Sequence, residues 1–147
     1  MPLTIRPANA LDIDMLVPLV EKYRAFYKQE PSPRTRTYLI ERIESGEALV
    51  FLANLDSHMI GFTLIYPTFS TVSLSPIWLL NDLFVEFNYR GQGIASALMA
   101  RAEAEAQQAG ATRVWLRTAH DNTTAQALYE GRGYVQDEVF RRYDLLF

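Results

Sequence analysis

The sequence predicts a mixed α/β fold: a mostly antiparallel sheet with about four helices packed on it. Three observations lead there. The chain has 147 residues, one domain's worth of polymer, and is 49% hydrophobic with 12% aromatic residues, enough to build a core. Its first half carries apolar runs around one tight connection, the mark of an antiparallel hairpin. Its second half switches between short apolar runs and helical periodicity, the mark of βαβ units, so the sheet is not uniformly doubly wound.

The elements follow in order. Leu3-Thr4-Ile5 alternates as a short strand and ends at Arg6-Pro7. Over 12–28, Leu16, Leu19, Val20, Tyr23 and Tyr27 recur at helical spacing, with Pro18 predicting a kink or a late start. Pro31-Ser32-Pro33 breaks the chain before a second helix, about Thr35 to Glu44, that stops at Ser45-Gly46. Ala48 to Leu55 and His58 to Tyr66 flank Asp56-Ser57 as a hairpin. After Pro67 and a Ser/Thr-rich bend, Ile77 to Val85 is a strongly apolar strand. Arg90 to Gln108 repeats Ile94, Leu98, Ala102 and Ala106 every four residues, and Gly110 marks its stop. Residues 114–117 read as a buried strand, and Asn122 or Thr123 opens a last helix through Tyr129, closed by Gly131 or Gly133. Two strands, Tyr134 to Glu138 and Phe140 to Leu145, are expected to end the chain.

Composition narrows the function classes. Fourteen basic against seventeen acidic residues leave a net charge of −3, which argues against a nucleic-acid partner, since binders of DNA or RNA usually carry a basic excess. There is no cysteine, so disulfides, thiolate metal sites and a cysteine nucleophile are all excluded. His58 and His120 lie too far apart in sequence to suggest a metal site. No leader-like segment opens the sequence, and no stretch approaches the ~20 apolar residues of a membrane span. The expectation is a cytoplasmic protein with no membrane partner and no metal.

The most specific segment is Leu83-Phe84-Val85-Glu86-Phe87-Asn88-Tyr89-Arg90-Gly91-Gln92-Gly93-Ile94-Ala95. A buried strand runs through a short turn into a glycine-bearing loop that opens a long helix. Glycines at 91 and 93 let main-chain N–H groups converge without a Cβ in the way. The helix N-terminus adds unpaired donors and partial positive charge, and Arg90 a cation, so the segment suits a pyrophosphate. Spacing alone equally allows that Gly91 and Gly93 only tighten the turn. The segment is neither a Walker loop nor the Rossmann fingerprint.

Arg90-x-x-Gly93-x-Ala95 after a strand resembles the coenzyme A pyrophosphate loop of the GCN5-related N-acetyltransferase (GNAT) family. Asn122-Thr-Thr-Ala125-Gln-Ala-Leu128-Tyr129-Glu-Gly-Arg132-Gly133-Tyr134 resembles that family's later Asn-x-x-Ala-x-x-Leu/Phe-Tyr helix. The element order matches as well, so the resemblance spans essentially the whole chain as one domain, 1–147. It implies a sheet whose strands splay beside the loop and an acetyl-CoA co-substrate. Main-chain groups around Phe84 and Val85 would pair with the pantetheine arm. Amides of Arg90, Gly91, Gln92, Gly93, Ile94, Ala95 and Ser96 would hold the pyrophosphate. Asn122, with Ala125 on the same turn, would meet the pantetheine region, and Arg132 the nucleotide 3′-phosphate. Tyr129 matches the tyrosine placed to protonate the departing thiolate, and dimerisation through the C-terminal strands is common in the family.

Aminolysis of a thioester needs a neutral amine, and an alkylamine has a pKa near 10, so a group must take its proton. The oxyanion needs a donor, for which a main-chain N–H near Val85 suits, and a phenol is an adequate acid for the thiolate. Asp82 is the candidate on the acceptor side: a carboxylate in so apolar a strand costs several kcal/mol if buried alone, so it lines a cavity or meets a cation. A hydrogen-bonded structural Asp beside a strand bulge is the competing reading. Asn81-Asp82 resembles the acidic pair of polyamine acetyltransferases, with only Asp82 retained as an acid. Glu86 and His120 are weaker base candidates, better read as surface groups.

In this family the first two helices and their loop close over the acceptor, here about 23–36, where Phe26 and Tyr27 are candidate walls and Glu30 a candidate charge. Phe87 replaces a frequent proline after the strand. The sequence thus predicts acetyl transfer to a primary amine in a ternary complex. The amine is first a polyamine or other small cation, in the manner of Hpa-type or diamine acetyltransferases. An amino acid, a protein lysine or N-terminus, and a non-catalytic CoA-binding module are the alternatives.

Overall fold

The computed structural model describes residues 2–147. The chain divides into two compact units, the first ending at Arg117 and the second running Thr118–Phe147. In the first unit, β1 (Leu3–Pro7) leads through a 3₁₀ turn (Ala10–Asp12) into α1 (Ile13–Phe26). Asn9 and Asp12 form a reciprocal capping box there, and Arg6 grips the Asp12 carboxylate with two bonds of 2.7 and 3.0 Å. α1 passes through Pro18 unbroken and starts early rather than late. Pro18 lies on the exposed face, as does Asp14, whose carbonyl loses its helical partner there. α2 (Arg34–Glu44) follows.

Three antiparallel strands come next: β2 (Leu49–Leu55), β3 (His58–Ser70) and β4 (Ser75–Val85). Asp56 and Ser57 both take the left-handed conformation, φ 51° and 68°, which fits a two-residue hairpin turn. β3 runs on through Pro67, where the sequence predicts a break. Past Ile65 it has no partner on the β2 side, so a missing N–H there removes no bond to β2. The five-stranded sheet has the order β1-β2-β3-β4-β5, with β5 (Val114–Trp115) parallel to β4.

α1 and α2 cover one face of the sheet, where Leu16, Leu19 and Leu39 pack with Leu52, Phe62 and Leu64. Side chains buried so completely contribute roughly 1.5–3 kcal/mol each. On the opposite face lies α3 (Ile94–Gln108), with Leu98, Met99 and Ala102 buried. It begins at Ile94 and not at Arg90, because a 3₁₀ turn (Phe87–Tyr89) and the glycine loop intervene. Gly110, φ 82°, lies just past its end, as the sequence predicts.

In the second unit, α4 (Thr123–Gly131) is capped by the Asn122 side chain, whose Oδ1 accepts from the Ala125 N–H at 3.1 Å. The two strands expected over 134–145 do not form: residues 132–147 carry no helix or strand. Their apolar-polar pattern suits a strand, but a strand exists only through a ladder partner, and these residues pair with none.

Candidate active site

One extra residue in β4 organises the site. Leu64 pairs with Asp82 and Ile65 with Leu80, so Asn81 is a β-bulge. Beyond it, the Glu86 N–H donates to the Ile60 carbonyl at 2.8 Å, and Phe84 lies opposite Phe62. Alternation along a strand then turns the main-chain groups of Leu83 and Val85 away from β3. On that side β5 pairs only with Trp78 and Leu79. The two strands therefore part after Leu79, leaving an edge of β4 that an extended ligand can join as a strand. Of the two residues expected to offer main chain, Val85 turns its groups away from β3, while Phe84 pairs with β3. Leu83, which nothing in the sequence singles out, turns to the same side as Val85. The only sequence signal for this was the Asn81-Asp82 pair interrupting an apolar run.

The loop after β4 leaves main-chain donors open at the start of α3. Gly91 and Gly93 adopt φ of 77° and 80°, which a side chain strains to reach. Gly93 precedes Ile94 as a cap without a side chain, so it offers nothing to the first N–H groups of α3. Those donors at Ile94 and Ala95 fit the diphosphate of a coenzyme A, as the open β4 edge fits its pantetheine arm. Arg90 is folded back: its Nε donates to the Val85 carbonyl at 2.8 Å, its guanidinium lies over Phe84 and Phe87, and its N–H meets the Phe87 carbonyl. It braces the turn while Gly91, Gln92 and Gly93 remain exposed. Beside the parting strands, Trp115 buries its indole N–H with no partner among the described residues.

The acceptor-side candidate lies on the face covered by α1 and α2. Asp82 is 8% exposed. Burial pushes its carboxyl above the usual range, while the neighbouring Tyr23 hydroxyl and Asn81 Nδ2, which donates to it at 2.8 Å, draw it partly back. The Tyr23 hydroxyl donates to the Asn81 carbonyl, 3.3 Å away. Tyr66 joins Tyr38 through a 2.6 Å hydroxyl contact, and burial raises the Tyr66 and Tyr23 phenols far beyond their ordinary value, with Asp82 adding to both. Tyr27 stands edge-on to Tyr23, their centroids 5.2 Å apart, and Phe26 edge-on to Tyr27 at the same distance. Both are more than half exposed, so neither is core. In the sequence Tyr23 reads only as helix periodicity, and no motif marks Tyr66 or Tyr38.

Glu86 is held in a 2.6 Å ion pair by Lys22 of α1. His58 and His120 are exposed, and no group of three metal-ligating side chains occurs among the described residues. In the second unit, Tyr129 sits half-buried on α4 with its ring 6.2 Å from that of Tyr134, Arg132 caps the helix, and Asn122 and Ala125 share its first turn.

The chain matches the Acetyltransferase (GNAT) family over residues 16–134. It belongs to the GNAT acetyltransferase family. It is 39% identical over 144 residues to the uncharacterized N-acetyltransferase YhfO of Bacillus subtilis, covering 97% of both chains. A probable acetyltransferase of known crystal structure superposes with a TM-score of 0.92 at 35% identity, over 98% of this chain and 97% of that one. The fold alone is shared with a predicted acetyltransferase of Clostridium acetobutylicum, solved with acetyl-CoA (TM-score 0.80, 16% identity, 97% and 96% covered). This GNAT chain is therefore an N-acetyltransferase, of a family whose acyl donor is acetyl-CoA. No helix among its described residues is long and apolar enough to cross a membrane.

Proposed function

We propose that this acetyltransferase moves an acetyl group from acetyl-CoA to a primary amine by direct attack in a ternary complex, with Asp82 as the acceptor-side base. The observation that carries the reading is a buried carboxylate among tyrosines, one residue past the bulge that opens the β4 edge. Acetyl-CoA supplies the thioester acyl group. The Leu83 and Val85 main chain aligns its pantetheine arm, and the loop amides from Gly91 onward hold its diphosphate, with the N–H groups of Ile94 and Ala95 central. The Val85 N–H, turned outward, stabilises the oxyanion. Asp82 accepts the amine proton, directly or through water. A carboxyl held above its ordinary range is a better base than a surface one. Tyr129 protonates the leaving thiolate, and Asn122 and Arg132 meet the pantetheine and the 3′-phosphate.

The acceptor is a small cationic amine of the polyamine kind, in the manner of Hpa-type and diamine acetyltransferases. Asp82 attracts the ammonium, and Phe26 and Tyr27 wall it through ring faces. The chain works as one acetyltransferase domain in the cytoplasm and as a homodimer. A thiol-release assay with acetyl-CoA across polyamines, amino acids and basic peptides tests the reading. Turnover with a polyamine, abolished in Asp82→Asn, supports it, and release only with peptides or with no amine at all overturns the acceptor assignment.

A further inference from the structure

We infer that Thr63 is a positioning residue for the acyl donor: its hydroxyl fixes the peptide plane that aims the Leu83 N–H at the open β4 edge. The inference rests on coenzyme A lying along that edge, as proposed above. Thr63 is fully buried in β3 and stands opposite Leu83. Its Oγ1 donates to the Asp82 carbonyl at 2.8 Å. Leu64 packs against α1 and α2, so Thr63, one residue before it, turns to the α3 side of the sheet. The buried run 60–65 is otherwise apolar, and valine would fill the same space in a strand. The hydroxyl therefore answers to the Asp82 carbonyl and not to packing.

The bulge explains why that carbonyl needs a side-chain partner. A bulge residue drops out of the ladder, so the peptide units next to Asn81 lose the regular pairing that fixes their tilt. Two hydroxyls replace it, one from each side of the sheet. Tyr23 of α1 donates to the Asn81 carbonyl at 3.3 Å, and Thr63 holds the carbonyl of Asp82. The Asp82 carbonyl and the Leu83 N–H belong to one planar trans peptide unit and point in opposite directions. A carbonyl gripped from β3 thus turns the Leu83 N–H away from β3. On that side β5 pairs only with Trp78 and Leu79, so the N–H faces the opening.

Thr63→Val removes the hydroxyl and keeps the volume. We expect its affinity for CoA, by calorimetry, to fall about tenfold, the upper end of what one hydrogen bond carries. Thr63→Ser keeps the hydroxyl and should bind CoA as the parent does. Leu39→Val, in the core between α2 and the sheet, should lower the melting temperature and leave CoA affinity unchanged. In the parent, CoA should slow hydrogen exchange at the Leu83 and Val85 amides by NMR, and in Thr63→Val the slowing at Leu83 should be lost. Parent-like binding by Thr63→Val, or binding by Thr63→Ser as weak as that of Thr63→Val, overturns the inference. So does an equal loss in Leu39→Val, or a parent Leu83 amide that CoA leaves unprotected, which needs no variant to fold. Every readout uses CoA alone. A chain that binds CoA and acetylates no amine sinks the acceptor assignment and leaves Thr63 to be judged by itself, whereas a chain that binds no CoA overturns both.

Discussion

At the scale of residues, the base role proposed for Asp82 would run against its effect on stability. Its folded carboxyl titrates above the unfolded value, chiefly through burial, so its favourable contribution is present below the unfolded midpoint and lost as pH rises through the folded one. At pH 7 the ion is therefore a liability to the fold. Asp82→Asn should raise the melting temperature by about 2–4 °C, the shift expected of ~1 kcal/mol in a chain this size, while kcat/KM falls at least about 100-fold. Calorimetry and the thiol assay on one preparation check both. Gly61 is a second case. A Cβ there would sit 2.8 Å from the Phe84 carbonyl, so Gly61→Ala should cost about 1–3 kcal/mol in a denaturant titration and disturb the edge opposite Val85. Tyr129→Phe should lower turnover about 100-fold with CoA affinity unchanged in calorimetry. Asp82 was legible in the sequence because a carboxylate inside an apolar run demands an explanation. Tyr23 was not, because its partner lies 58 residues away and its spacing is that of any core aromatic.

Among elements, the joint between α1 and α2 is set by one carboxylate. Glu21 accepts from Arg24 at 2.7 Å, from the Ser32 N–H at 2.7 Å and from the Thr35 hydroxyl at 3.1 Å. Burial alone would raise its carboxyl, and these three partners together pull it below the usual value instead. Asp12, gripped by Arg6, shifts the same way. Carboxyls lowered by folding stabilise above their unfolded midpoints and lose that contribution as pH falls through the folded ones. Glu21→Gln should therefore melt below the parent at pH 7, and the gap should close below about pH 4 in a pH series of thermal melts. Helices and the hairpin were readable because capping, spacing and turn residues are local signals. Pro18 and Pro67 misled because exposure and a missing neighbour strand, neither visible locally, make a proline harmless. The end of the chain misled for the converse reason: residues 134–145 have strand composition without a ladder.

For the molecule as a whole, the family and the order of elements were legible because both motifs sit on the chain in sequence with the sheet. The open edge of β4 was implied by the resemblance, but its cause depends on which strands pair. In the second unit Val135, Phe140 and Leu146 are 80–90% exposed, more apolar surface than a lone chain usually leaves uncovered. The homodimer reading gives them an occupant. Sedimentation velocity should then return twice the 16.8 kDa chain mass, and Phe140→Asp with Leu146→Asp should halve it without loss of the α-helical signal.

The bulge at Asn81 works as a frameshift in the alternation of β4. Upstream of it one parity of residue meets β3, downstream the other. Excising Asn81 would leave composition and charge almost untouched, yet it would swap which amides look toward the open edge and which look toward β3. The strand can therefore drift by substitution at nearly every position, while its length between Trp78 and Val85 is not negotiable.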